Sequence, residues 1–170
     1  HLECSPYTIT LLNDFKKIFV FRNLRDVFVS MLKFVLDTGR NSEAAKEYRD
    51  LPDGPAKMMK HMEVFQNLLI EGARKMLPWM KEDVLRVSFE DLYGDNGQDA
   101  QFEIVDEICC LLGLPARSDH QSLLSSLIGS PTLTWSRERS RRDSFWNAEV
   151  ESLFTQLGGK AVNEALGYDE

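Results

Sequence analysis

The sequence contains no glycine-rich phosphate loop of the GxxxxGK type, which excludes the commonest way of cradling a nucleoside triphosphate on backbone amides. Cysteine is scarce. Cys4, Cys109 and Cys110 are too few and too badly spaced for a disulfide framework or a thiolate zinc site. Cys109 and Cys110 fall in an amphipathic stretch and read as core or near-core thiols, so a reducing compartment is expected and the localisation is read as cytoplasmic. His1, His61 and His120 lack metal-ligand spacing, and no metal is expected. No apolar run approaches the ~20 residues of a membrane-spanning helix, so no membrane span is expected. Excess positive charge is also missing. A formal net charge of -7 argues against a general nucleic-acid binder, whose footprint would be basic overall. There is no internal repeat and no low-complexity tract. The first residue is His1, with no initiator methionine and no signal sequence ahead of it, and the chain reads as a fragment or a trimmed form.

What is present suits one globular domain over 1–170, a length at which roughly 70% of the unfolded chain's surface can be buried. Basic residues are concentrated at Arg22 and Arg25 and again at Arg137, Arg139, Arg141 and Arg142; local basic patches on an acidic chain suit a small anionic ligand. The first patch follows the run Ile18-Phe19-Val20-Phe21, which reads as a strand of a parallel sheet covered on both faces. From Val27 the residues Val27, Phe28, Met31, Leu32, Val35 and Leu36 recur at helical spacing. A turn between a parallel strand and a helix is where open α/β sheets bind ligands. The helix start there offers unpaired N–H groups, and arginine offers a bidentate fork for phosphate. Ser30 could reach the same anion if the helix starts near Asp26.

The remaining pattern is a helix-rich α/β one. Strands are expected at 17–21 and 84–89, a polar loop or lid with a short helical stretch at 40–53, and a helix over 56–77 that is opened by Pro55 and ended by Pro78. Further helices are expected at 101–112, with Gly113 and Pro115 as stop signals, and at 118–128, 148–157 and 160–166. Residues 129–143 are polar and arginine-rich without periodicity and read as a loop.

Four ordered blocks carry a family resemblance. Arg22-Asn23-Leu24-Arg25-Asp26 followed by Val27-Phe28-Val29-Ser30 resembles the 3′-phosphate-binding segment of sulfotransferases that use 3′-phosphoadenosine 5′-phosphosulfate, PAPS. Trp79 to Leu92, with Phe89-Glu90-Asp91-Leu92 at its end, is similar to that family's second strand. Ile104 to Pro115, ending Leu112-Gly113-Leu114-Pro115, and the tail with Leu166-Gly167-Tyr168 resemble its later helices. The resemblance implies a three-layer parallel-sheet fold of the P-loop nucleotide-kinase type, truncated at its N-terminus, with PAPS as co-substrate. It assigns the 3′-phosphate to Arg22 and Ser30 and the adenine region to Phe89. By the same resemblance Arg137 or Arg139 of the late loop would be the further phosphate ligand, although that loop departs from the family pattern by having no glycine between Ser136 and Asp143. His1, followed by Leu2, matches the family's catalytic histidine and would act as general base toward an acceptor hydroxyl or amine.

The lysine-bearing loop that clamps the 5′-phosphosulfate in that family has no counterpart in 1–170, so the isolated chain is expected to be an incompetent catalyst. Two other readings stay open: a non-catalytic nucleotide-binding or protein-interaction remnant of such an enzyme, and a helical adaptor whose arginine loop docks an acidic partner or nucleic acid. Acceptors in the family range over sugars, lipids, phenols and peptides, and neither the acceptor nor the oligomeric state is legible.

Overall fold

A computed structural model describes residues 3–37, 43–115, 119, 122 and 142–168. The chain is α/β and helix-rich, with a small parallel sheet of two strands among the described residues. It forms two compact units, each made of two chain segments. One comprises the described residues of 1–22 and 76–135, and the other those of 23–75 and 136–170.

The first unit holds helix α1 (Pro6–Leu11), strand β1 (Ile18–Phe21), a 3₁₀ turn (Leu77–Lys81), strand β2 (Leu85–Ser88), helix α6 (Phe89–Tyr93) and helix α7 (Gln98–Leu112). Helix α1 has no counterpart in the expectations above. Its signal is local: Ser5 Oγ accepts from the Thr8 N–H at 3.2 Å, Thr8 Oγ1 accepts from the Ser5 N–H at 2.8 Å, and Pro6 occupies the first turn. β1 and β2 run parallel with Ile18 opposite Leu85 and Phe21 opposite Ser88. The strand is not covered on both faces. Phe19 is buried and Val87 of β2 fully so, while Ile18 and Val20, on the opposite face from Phe19, are 39% and 53% exposed. α6 and α7 pack against β2, and Val105 and Cys109 of α7 are buried with Phe102 against them, which agrees with the reading of Cys109 as a core thiol; Cys110 is exposed. Gly113 ends α7 in the left-handed conformation at φ 73°, as its position after the last apolar turn suggested.

The second unit is helical: α2 (Leu24–Asp37), α3 (Glu43–Arg49), α4 (Pro55–Gln66), a π turn (Asn67–Glu71), α5 (Gly72–Met76), α8 (Arg142–Phe145), α9 (Ala148–Gln156) and α10 (Gly159–Ala165). α4 packs on α2, α3 and α9, and Met58 and Met62 of α4 are fully buried, as are Phe28 and Leu32 of α2, Tyr48 of α3 and Phe154 of α9. Met58 and Met62 are packing residues. The helix expected as one piece over 56–77 is instead broken by the π turn, whose extra residue rotates the following face. Within the π turn Leu68 is exposed and Ile70 buried. Pro78 lies inside the 3₁₀ turn, at a position where a missing N–H costs nothing. Residues 142 and 143, assigned to the late loop, open α8. The helix expected over 118–128 and the loop over 129–141 lie outside the described residues, apart from 119 and 122.

Candidate functional site

The parallel register that sets Phe21 opposite Ser88 makes the next residue of each segment, Arg22 and Phe89, emerge together at the carboxyl end of the sheet. The Arg22 guanidinium carbon lies 4.2 Å from the centroid of the Phe89 ring. At that distance the ring's negative face attracts the cation. No described residue gives Arg22 an ion pair or a hydrogen bond, and its Nε is buried without an acceptor. A buried donor left unmade costs about 1–3 kcal/mol, so the position is one that an anion would improve.

Phe89 is held there by a local switch from strand to helix. The sequence reading placed it at the end of a strand over 84–89; instead β2 stops at Ser88, and Phe89 is the first residue of α6. Ser88 caps α6: its Oγ accepts from the Asp91 N–H at 3.0 Å and donates to Asp91 Oδ2 at 2.6 Å. One turn later Tyr93 stacks on Phe89, with centroids 5.6 Å apart and an interplanar angle of 11°. Gly94 then closes the helix at φ 87°, where an added Cβ would stand 3.1 Å from the Gln101 side chain. Tyr93 did not emerge from the sequence reading. The Ser88-x-x-Asp91 cap is the signal that places it on the same helical face as Phe89.

Arg25, three residues after Arg22, has the opposite role. It is 3% exposed and bound bidentately by Glu151, with Nε to Oε2 at 2.9 Å and an Nη to Oε1 at 2.7 Å. Its guanidinium also lies 4.9 Å from the Phe154 ring centroid, and the Trp146 indole N–H donates to Glu151 at 2.8 Å. The bond from Arg25 holds the Glu151 carboxyl below its ordinary pKa, against the effect of burial, with Trp146 adding to the lowering. Arg25 is thus a structural cation inside the second unit.

The start of α2 is also different from the expectation. The helix begins at Leu24, so Ser30 is in its second turn and half-buried. The amides at this end are consumed within the protein. Leu24 N–H donates to Asn163 Oδ1 at 2.9 Å, Arg25 N–H to Asn23 Oδ1 at 3.0 Å, and the Asp26 and Val27 N–H groups to the Asn23 carbonyl at 3.1 Å. Asn163 Nδ2 donates in turn to Asn23 Oδ1 at 2.9 Å. A helix start whose donors are already satisfied is not an open anion cradle. The reading of this turn as a generic backbone phosphate corner is therefore corrected, and what remains is the side chain of Arg22.

Among the expected site residues, Arg22 and Phe89 meet in the first unit and Ser30 belongs to the second. His1, Arg137 and Arg139 lie outside the described residues. His61 is no substitute for His1 as a base. It is fully buried, its Nδ1 pairs with the Tyr48 hydroxyl at 3.0 Å and its Nε2 has no partner. Burial lowers its pKa to about 4, with the Phe28 backbone opposing. Among the described residues no group of His, Cys, Asp and Glu could hold a metal ion, and no helix is long and apolar enough to cross a membrane. Comparison with family models, curated proteins and solved structures finds no match to this chain.

Proposed function

We propose that the chain binds the 3′-phosphorylated nucleotide of a PAPS-dependent sulfotransferase, on the three-layer parallel-sheet fold that the sequence resemblance implies, with Arg22 as the principal ligand of the 3′-phosphate. The observation that carries this reading is the state of Arg22. It is a partly buried guanidinium at the carboxyl end of a parallel strand, parked on an aromatic ring, with its Nε unsatisfied. A phosphate oxygen would supply the missing acceptor and a charge-assisted bond. Phe89 would hold the guanidinium plane in place and contact the adenosine. Ser30, and Arg137 or Arg139, are the further ligands that the resemblance assigns.

In the complete reaction a sulfuryl group passes from PAPS to a hydroxyl or amine acceptor on a small molecule, glycan or lipid. By analogy with phosphoryl transfer, the protein contributes in-line positioning and neutralisation of charge. Arg22 would fix the nucleotide by its unreactive end, and His1 would take the acceptor's proton. The buried pair of Arg25 and Glu151 has no part in this chemistry; it steadies the unit that carries Ser30.

Calorimetric titration with 3′-phosphoadenosine 5′-phosphate, PAP, tests the assignment. A charge-assisted hydrogen bond is worth about 1.5–3 kcal/mol, so Arg22→Ala is expected to weaken PAP binding by about tenfold or more. Unchanged affinity on that substitution, or no binding of PAP by the unsubstituted chain, refutes it.

A further inference from the structure

We infer that Tyr93 is the base-stacking residue of this site and that its ring, rather than Phe89 alone, selects a nucleotide over a simple bisphosphate. The inference rests on the reading of Arg22 as a phosphate ligand and goes beyond it. Phe89 has two partners at once, the Arg22 guanidinium at 4.2 Å and the Tyr93 ring stacked at 5.6 Å and 11°. Each of these contacts occupies part of the Phe89 ring and leaves less of it open to a ligand base. Tyr93 does have such surface: it is 37% exposed, and no described residue bonds its hydroxyl.

The guanidinium and the Tyr93 ring both lie against Phe89, so a cation and a partly exposed aromatic ring belong to one cluster. The separation between the guanidinium and the Tyr93 ring is at most the sum of the two distances just given. A nucleotide spans such a distance between its sugar phosphate and its base. Stacking needs only a planar ring, so Tyr93 would recognise the presence of a base more than its identity. The rigidity needed for this comes from α6, with Ser88 capping its start and Gly94, at φ 87° beside Gln101, closing its end directly after Tyr93.

The test compares two ligands that carry the same phosphates, PAP and base-free ribose 3,5-bisphosphate, titrated calorimetrically into the unsubstituted chain, Tyr93→Leu and Tyr93→Phe, with circular dichroism confirming the fold of each. PAP is expected to bind the unsubstituted chain about tenfold more tightly than the base-free ligand. Tyr93→Leu should remove that advantage and leave base-free binding unchanged, and Tyr93→Phe should keep it. Equal weakening of both ligands by Tyr93→Leu would mean that the ring only steadies Phe89 and Arg22, and it overturns the inference. So does a tenfold advantage that survives Tyr93→Leu. Binding of both ligands with equal affinity by the unsubstituted chain overturns the base-stacking role while leaving Arg22 as a phosphate ligand, whereas failure of both to bind removes the two readings together.

Discussion

Lowering the pH from 8 to 5 should cost this protein about 2 kcal/mol of stability through His61 alone, because the folded state requires that imidazole to be neutral. His61 is 0% exposed, ringed by Phe28, Tyr48 and Phe65, and its pKa is lowered to about 4 by burial. In the unfolded chain it titrates near 6.5. The folded pKa lies below the unfolded one, so protons bind preferentially to the unfolded state. The stability is fully present above about pH 6.5 and is lost as pH falls toward 4. Over the whole window the loss approaches about 3.4 kcal/mol, since each pKa unit of difference is worth about 1.36 kcal/mol. Urea unfolding followed by circular dichroism at pH 8 and pH 5 measures it, with His61→Leu as the comparison. The variant loses the bond to Tyr48 and is expected to be less stable at pH 8. Its stability should nevertheless fall by about 2 kcal/mol less between the two pH values than that of the unsubstituted chain, because carboxylates and the other histidines titrate alike in both. Equal pH dependence in the two proteins, or a His61 ring resonance that titrates near 6.5 in the folded state, would refute the reasoning.

Glu151→Gln should destabilise the second unit by about 3 kcal/mol, the lower end of the range for stranding a buried charge, since Arg25 is 3% exposed but water reaches Glu151 at 36%; a melting temperature within about 2 °C of the parent's would contradict the buried-pair assignment. Arg22→Met, by contrast, keeps an unbranched chain against Phe89 and removes the unsatisfied Nε, so its thermal unfolding temperature should equal or exceed the parent's even as PAP binding is lost. A clear fall in that temperature would show that Arg22 supports the fold and is not held in reserve for a ligand.

Much of the architecture was readable along the chain because it depends on short-range rules. The run Ile18 to Phe21, the helix opened by Pro55, the αL stop at Gly113 and the closing helices all follow from side-chain period, proline geometry and glycine's freedom at positive φ, whereas 43–49, expected within a polar loop or lid, is a helix that buries Ala45 and Tyr48. The breaks in the middle were not readable. The π turn at 67–71 has no composition signal, and once it is present a single 3.6-residue count no longer runs through the helix expected over 56–77.

By itself, the sequence determined that the chain is α/β and helix-rich, that arginines follow the first strand, and that a second strand leads to Phe89; that Phe89 already opens a helix was shown only by the fold. The roles of the two arginines were decided only by tertiary structure. Arg22 and Arg25 are the same residue type three positions apart, and nothing local separates them. Glu151, distant in sequence, neutralises one inside the core, while the parallel pairing of β1 with β2 sets the other against Phe89 with no acceptor for its Nε among the described residues. The same holds for the start of α2, whose amides would be free in an isolated helix and are taken by Asn23 and Asn163 in the folded chain. A side chain's charge is a local property, but whether that charge is spent on the fold or left for a ligand depends on which partner the fold brings within about 3 Å.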